Sequence, residues 1–547
     1  MKHIVSIADH IISPLGEGSA QNFEAVLAGR TALHRHEGVF GVPEPFVASL
    51  FEERGVQPGL NFFETLLLRA TSKVISDAGI DSAGKDVIFI FSTIKGNVES
   101  IEDGEQAALL GRSAARIAEK FGNTNTPIVV SNACISGVCA LIEGMRALAS
   151  GRYAYAVVVG CEVQSRFIVS GFQCLKALSG ETCRPFDAGR TGLNLGEAAA
   201  AMVLKAVDQP EEGQWELVEG AVRNDANHIS GPSRTGEGSF NCLDYVLAKT
   251  ERDDLAFINV HGTATLYNDE MESFAIERAG LSDVPLNALK GYYGHTMGAA
   301  GILETIISMK AADAGVVIGT KGFGTLGVTH PVNVSAQHRP TDRRSFIKLL
   351  SGFGGCNAAL LCRRSDAPAP APVEAPLSYK IVSRASLSSN DTDLASLYRE
   401  ICGDYPKFFK MDTLCKTGFL AAELLLKDFQ GRFSPRKDVA VAVFTKHGPY
   451  CNDTHYQATI SDPENYFPSP SLFVYTLANI VTGEIAIRNK FLGESSAYIL
   501  DSRDDAVMDS VIAGIMSDRT VRYLVAGWID CTDDSTFDAD LKLIQKQ

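Results

Sequence analysis

Ile128-Val129-Val130-Ser131-Asn132-Ala133-Cys134-Ile135-Ser136-Gly137 is a β-branched run that stops at a cysteine, followed by small residues that open a helix. β-Branched side chains suit a buried strand. The strand-to-helix change places the Cys134 thiol at a helix N-terminus. Unpaired backbone N–H groups and the helix dipole there lower a thiol pKa and favour the nucleophilic thiolate. The same N–H groups can stabilise an oxyanion. Taken alone, the pattern also fits a buried core cysteine, so the rest of the chain has to decide.

Around this stretch, short apolar runs alternate with helical periodicity. Residues 86–91 (Asp-Val-Ile-Phe-Ile-Phe) and 154–159 (Ala-Tyr-Ala-Val-Val-Val) predict buried strands. Phe63 to Ala78 and Ile302 to Ala312 predict amphipathic helices. Strands alternating with helices indicate an α/β layered fold. Two later stretches join histidine to glycine: Asn259-Val260-His261-Gly262-Thr263-Ala264-Thr265, and Lys290-Gly291-Tyr292-Tyr293-Gly294-His295-Thr296-Met297-Gly298-Ala299-Ala300-Gly301. Glycine lets backbone or substrate approach closely. Singly, each histidine also reads as a structural or surface residue.

The chain has 547 residues, 45% of them hydrophobic and 21% charged, which suits two or three folded units. A net charge of −15 argues against nucleic acid as a partner. It would also repel an acidic carrier protein overall, so a carrier dock requires a local basic patch. The 12 cysteines are scattered, without a C-x-x-C pair, so no zinc-ribbon or thioredoxin-type motif is present. Most of them read as reduced, buried thiols of a cytoplasmic protein. Asp9 interrupts the N-terminal apolar run too early for a signal peptide. No apolar stretch approaches the ~20 residues that cross a bilayer. The alternating Pro and Ala of residues 366–376 mark a semi-rigid linker. The expected division is a catalytic domain over 1–365, a linker over 366–378 and a second domain over 379–547.

With these pieces in order, the chain resembles the β-ketoacyl-acyl-carrier-protein synthases over about Lys2 to Cys362. The resemblance rests on Cys134, His-Gly-Thr-Ala-Thr at 261–265, and Lys290 with Gly294-His295-Thr296-Met297-Gly298. Further support comes from Ile12-Ser13-Pro14-Leu15-Gly16, Arg184-Pro185-Phe186-Asp187, Arg190-Thr191-Gly192, Gly196-Glu197-Ala198 and Gly352-Phe353-Gly354-Gly355-Cys356-Asn357. It implies a thiolase-like α-β-α-β-α fold of two related halves and a Cys-His-His site. Cys134 would carry an acyl group from the phosphopantetheine of an acyl carrier protein, with no other cofactor and no metal. His261 and His295 would stabilise the enolate formed when a malonyl thioester loses carbon dioxide. The N–H groups of Cys134 and Phe353 would form the oxyanion hole. Thr263 and Thr265 would bind the pantetheine arm. Lys290 would orient the site, paired with Glu272, and that pair reads equally as a structural ion pair. Asp187 and Glu197 read as structural. Fatty-acid and polyketide-type chains, including aryl polyenes, fit as products. A non-decarboxylating thiolase and a non-catalytic chain-length factor or carrier-binding scaffold stand as alternatives.

Two departures from the family stand out. Leu193 follows Gly192 where many members have phenylalanine beside the acyl pocket. The stretch from Gly96 to Cys134 is also short and lacks a segment that helps build the dimer interface and acyl cavity. A similar segment lies at residues 467–488, with Ala478 for the usual proline. The second domain reads as a partial copy of the first. Ile381-Val382-Ser383 matches Ile4-Val5-Ser6, Lys437-Asp438-Val439 matches Lys85-Asp86-Val87, and Leu524-Val525-Ala526-Gly527 matches Val157-Val158-Val159-Gly160. The Cys134-to-Gly160 spacing, laid back from Gly527, reaches Asp501, which cannot form a thioester. The second copy is therefore expected to lack a nucleophile and to dock as a partner surface, making a pseudo-dimer, with a homodimer as the other arrangement.

Overall fold

The computed structural model describes residues 2–104, 108–365 and 378–547. The expected linker lies outside the described residues, apart from Ser378. The predicted strands form as Val87–Ser92 and Tyr155–Glu162, and the predicted helices as Phe62–Ala78 and Ala300–Asp313. Asn61 starts the first helix: its side chain accepts the Glu64 N–H, and Glu64 reaches back to the Asn61 N–H. This reciprocal cap satisfies two otherwise unpaired donors.

One five-stranded pattern occurs three times. The first sheet runs Ile128–Val130, Val87–Ser92, Tyr155–Glu162, Ala198–Val207, His3–Ser13, with two parallel and then two antiparallel pairings. The second runs Pro285–Asn287, Leu255–Asn259, Ser345–Gly352, Cys356–Arg364, Trp215–Asn224 in the same sense. The third, after the linker, runs Ser495–Ile499, Val439–Thr445, Tyr523–Cys531, Phe537–Lys546, Tyr379–Ser388, again parallel, parallel, antiparallel, antiparallel. Helices cover the sheets, and the parallel strands are buried over nearly all their length, with Tyr155 half-buried. The layered α/β expectation is met, with the C-terminal unit as a third half.

Strand registers correct the letter matches between copies. Val87 pairs with Tyr155, and Val439 pairs with Tyr523. Asp86 and Asp438 occupy corresponding places: their carbonyls accept the N–H of Tyr155 and Tyr523. Gly160 therefore corresponds to Trp528 rather than Gly527. The two glycines serve different contacts. A Cβ at Gly160 would strike the Ser92 hydroxyl, whereas one at Gly527 would strike the Asp540 carbonyl. The N-terminal strands slip by two. Their bulges fall at Ile7 and Val382, so Ser6 corresponds to Ile381.

The same correction moves the place of the missing nucleophile. Ser92 pairs with Val130, and Phe444 pairs with Tyr498. Counting forward from Val130 to Cys134, and equally from Tyr498, reaches Ser502 rather than Asp501. Laying the Cys134-to-Gly160 spacing back from Trp528 gives Ser502 as well. Ser502 is exposed.

The two units join edge to edge. Tyr498 pairs antiparallel with Val130, and Ile499 with Val129. Val130 and Tyr498 are themselves corresponding residues, so a local pseudo-twofold axis passes between them. The first and third sheets are thereby continuous through this strand pair.

Candidate active site

The Cys134 elbow forms as the opening stretch predicts, with one twist. Ala133 has φ +46°, in the left-handed region that costs a non-glycine residue energy. A single 3-10 turn, Ala133–Ile135, leads directly into the helix Ser136–Ala149. The Ser136 hydroxyl clamps the turn, accepting the Asn132 N–H at 2.8 Å and donating to the Ala133 carbonyl at 2.6 Å. Gly137 and Gly301 pack backbone to backbone: a Cβ on Gly137 would lie 2.9 Å from the Gly301 nitrogen. This contact brings the turn carrying His295 against the turn carrying Cys134.

Cys134, His261 and His295 converge, with one donor atom from each lying within 4.8 Å of the others. The two imidazoles meet edge to face, ring centroids 5.1 Å apart. His295 Nδ1 accepts the Met297 N–H at 3.2 Å, which leaves the proton on Nε2. Among the described residues Nε2 has no partner, although it is buried. Burial, reinforced by Lys290 and Lys348, holds the His295 pKa well below the usual value. Burial, Lys290, His295 and Lys348 do the same to His261. Both rings are neutral near pH 7, and His295 is a hydrogen-bond donor aimed into the site.

The expected Lys290–Glu272 pair does not form. The Lys290 ammonium donates to the His261 carbonyl at 2.6 Å and to Glu304 at 3.0 Å. Lys348 holds the other oxygen of Glu304 at 2.5 Å. Glu272 instead accepts the N–H groups of His261 and Gly262, at 2.7 and 2.8 Å. It fastens the loop rather than the lysine. Burial first, and then Asp269, pushes its carboxyl up to about 7. Glu304 and Lys348 were missed in the sequence. The available signal was Lys348 itself, a lysine inside the apolar run Phe346-Ile347-Lys348-Leu349-Leu350.

The thiol expectation is also revised. Burial pushes the Cys134 pKa up to about 12, and the positive field of Lys290 opposes this only in part. The three convergent donors also resemble a soft-metal set, but that same positive field works against a cation there.

A cavity of about 380 Å³ reaches Cys134 and is lined by both histidines, Thr263, Thr265 and Phe353. Leu193 lines it too. The threonine hydroxyls share a hydrogen bond of 2.9 Å. Leu266 and Tyr267 also line it and are exposed. Asp187 and Glu197 stand apart from the cavity and bind loop N–H groups, for example Gly324 at 2.7 Å and Gln164 at 2.8 Å.

On its other side Cys134 faces a small apolar space bounded by Ile168, Phe172, Phe353, Phe473 and Leu477. The last two belong to the C-terminal unit. Phe473 stacks edge-on against Phe172 at 5.7 Å and lies over Gly171, where a Cβ would meet its ring at 2.0 Å. Asn479 donates to the Phe353 carbonyl at 2.7 Å. The 467–488 segment thus touches the loop expected to supply the oxyanion hole.

Two family descriptions match this chain: Beta-ketoacyl synthase, N-terminal domain, over residues 57–209, and Beta-ketoacyl synthase, C-terminal domain, over residues 215–323. The 3-oxoacyl-acyl-carrier-protein synthase 2 of Rhizobium meliloti (strain 1021) is 31% identical over 274 residues, 47% of this chain and 64% of that protein. Its namesake from Vibrio cholerae serotype O1 is 25% identical over 416 residues, 66% of this chain and 99% of that protein. Among solved structures, a keto synthase–chain length factor named PfaC superposes with a TM-score of 0.80 at 14% identity, covering 100% of this chain and 78% of its own. That likeness bears on fold alone, and it extends over both units. Matched domains, fold and converged cysteine and histidines agree: the first unit carries both domains of the β-ketoacyl synthases, condensing acyltransferases of the thiolase-like fold.

Proposed function

We propose that the chain joins an acyl group on Cys134 to a malonyl-type unit on an acyl carrier protein, with loss of carbon dioxide. The observation that carries this reading is the buried Nε2–H of neutral His295 beside Cys134 and His261. In the first half-reaction the Cys134 sulfur attacks the acyl thioester carbonyl, and the pantetheine thiol leaves with the proton. The N–H groups of Cys134 and Phe353 receive the oxyanion. In the second, the malonyl thioester loses carbon dioxide. The two imidazoles, kept uncharged by burial and by the lysines, hold the enolate oxygen by hydrogen bonding. The enolate carbon attacks acyl-Cys134, and collapse of the adduct releases a β-ketoacyl thioester and expels the Cys134 thiolate, which takes up a proton from water. Residues of the chain suffice for these steps without a cofactor. Thr263 and Thr265, which line the cavity, would bind the pantetheine arm.

The C-terminal unit acts as a built-in partner. Phe473 and Leu477 close the acyl side of the site, and Asn479 steadies the Phe353 loop. Ser502, at the position matching Cys134, is exposed and offers no thiol, so chain-length-factor character is assigned to that unit. Cys356 does not supply a thiolase-type second nucleophile. Its thiol is held against the carbonyls of Phe353 and Asn132 and does not line the cavity. Twelve free cysteines support a cytoplasmic setting, and no helix among the described residues is long and apolar enough to cross a membrane.

The test offers acyl- and malonyl-carriers to the protein and to Cys134→Ala. An acyl adduct on Cys134, with carbon dioxide released alongside β-ketoacyl product, supports the reading. Condensation that survives Cys134→Ala, or an acyl adduct on another residue, removes it.

A further inference from the structure

A second group of convergent donors lies in the C-terminal unit, away from the condensing site. Cys451 and His455 are one helical turn apart on the helix Tyr450–Ala458, and so project from the same face. Asp534 meets them from the turn after the strand Tyr523–Cys531. Cys451 Sγ is 3.5 Å from Asp534 Oδ1, and His455 Nε2 is 3.1 Å from Asp534 Oδ2. One donor atom from each residue falls within 4.8 Å of the other two. Tetrahedral zinc bonds of ~2.0–2.3 Å put neighbouring ligands roughly 3.3–3.8 Å apart. Small side-chain movements would bring all three donors to that spacing.

We propose that Cys451, His455 and Asp534 bind one zinc ion. The sulfur–nitrogen–oxygen donor set suits zinc better than magnesium or calcium, which take oxygen. A cavity of about 190 Å³ adjoins the three residues and leaves room for a water as fourth ligand. Binding releases the Cys451 thiol proton to solvent, and thiolate plus carboxylate then balance the dication. Supporting contacts are in place. Thr413 donates to Asp534 at 3.0 Å and orients its carboxylate, and the Cys531 thiol donates to the Asp533 carbonyl at 3.0 Å, next to Asp534 in the chain. Lys416, which also lines the cavity, has a counter-charge in Asp412. Asp412 itself caps a helix by accepting the Cys415 N–H at 3.0 Å.

The site has a route to the condensing centre. The helix it would pin carries Asp453, which pairs with Lys95 of the first unit at 2.7 Å. It also carries Asn452, which donates to the Leu472 carbonyl at 2.8 Å, next to Phe473. Zinc would stiffen the acyl-side wall from behind.

The experiment uses the full-length chain carrying Cys134→Ala, which removes the other Cys-His-His donor set. It is titrated with zinc, measured as bound metal per chain, and with cobalt(II), read by thiolate-to-cobalt charge-transfer absorption. One equivalent with a sulfur-ligated tetrahedral spectrum is expected, together with a zinc-dependent rise in the thermal midpoint. Loss of an outer-sphere partner alone weakens metal sites by ~10–100-fold, so adding Cys451→Ser or His455→Ala should weaken binding by more than ~100-fold. His455 is exposed, and its variant is expected to fold. No binding, a spectrum without a sulfur band, or affinity unchanged by both substitutions overturns the proposal. These readouts do not depend on condensation, so the proposal and the functional reading fail separately.

Discussion

At the scale of single residues, charge at the site is set by burial and then trimmed by two lysines. The Cys134 thiol, held up at about 12, is mostly protonated near neutrality. Its reaction with iodoacetamide should therefore climb ~10-fold per pH unit from about pH 7 to about pH 10, since the thiolate is the reactive form. Lys290→Met removes the cation that opposes the upward shift, so labelling should slow further at each pH. Mass spectrometry of the Cys134 peptide reads both. A rate that is flat over that range would mean the thiol is already ionised. Glu304 is the counterweight to both lysines, and they hold its carboxyl below the usual value of 4.5. Its contribution to stability is therefore present above the unfolded value and is lost as pH falls through the lower folded one. Glu304→Gln leaves two buried cations without their shared carboxylate and should cost ~3–5 kcal/mol. Urea unfolding at neutral pH measures the loss, and the acid-side slope of stability against pH should flatten in the variant.

At the scale of elements, the catalytic loops depend on contacts that no short window of sequence displays. The Phe353 loop is held from the C-terminal unit by Asn479, with Gly483 lying against Gly354, where a Cβ would come within 2.7 Å of the Gly354 carbonyl oxygen. Asn479→Ala leaves the Phe353 carbonyl without that donor. The Cys356 thiol still donates to that carbonyl, so at ~0.5–1.5 kcal/mol for one lost hydrogen bond kcat should fall ~2–15-fold, while the acyl-carrier KM changes less. A steady-state comparison of the two parameters checks this. The extent of legibility follows the same division. The strands around Cys134 and the helix at Phe62–Ala78 were legible because burial periodicity and capping are local. So were Cys134, His261 and His295, because glycine-flanked motifs mark the turns that carry them. The Lys290–Glu304–Lys348 cluster was not, because Glu304 sits one helical turn beyond Ala300 in a helix buried nearly all round, where its partner is a tertiary fact. The repeat was legible in order but slipped in register. A matched glycine is one letter, whereas correspondence between strands is set by their hydrogen bonds, which put Trp528 where Gly527 had been aligned.

At the scale of the molecule, the chain contains its own partner surface, and the deeply buried ion pairs across the junction share one sense, while the more exposed pairs Arg519–Glu219 and Lys437–Glu237 run the other way. The three buried pairs Lys95–Asp453, Arg146–Glu494 and Arg223–Asp518, at 2.7, 2.7 and 2.9 Å, each place the cation on the first unit and the carboxylate on the second. That complementarity orients the units. The strand pair centred on Val130 and Tyr498 adds backbone hydrogen bonds at the pseudo-twofold axis, and Phe473 with Leu477 adds the apolar wall. Ending the chain after Ser365 would strip all three features at once. It would expose Ile128–Val130 as an unpaired sheet edge, a template for aggregation, and leave an apolar surface in water around Phe172. It would also open the acyl side of Cys134 to solvent. The shortened chain should be insoluble, or soluble without condensation. Residues 378–547 supplied in trans should restore both solubility and activity, because among the described residues the junction is built from side chains and one strand pair. Sedimentation and the condensation assay on the two pieces, apart and mixed, read the outcome. A shortened chain that is monomeric, soluble and fully active would show that the third sheet is dispensable, and that the wall formed by Phe473 and Leu477 has no bearing on the reaction.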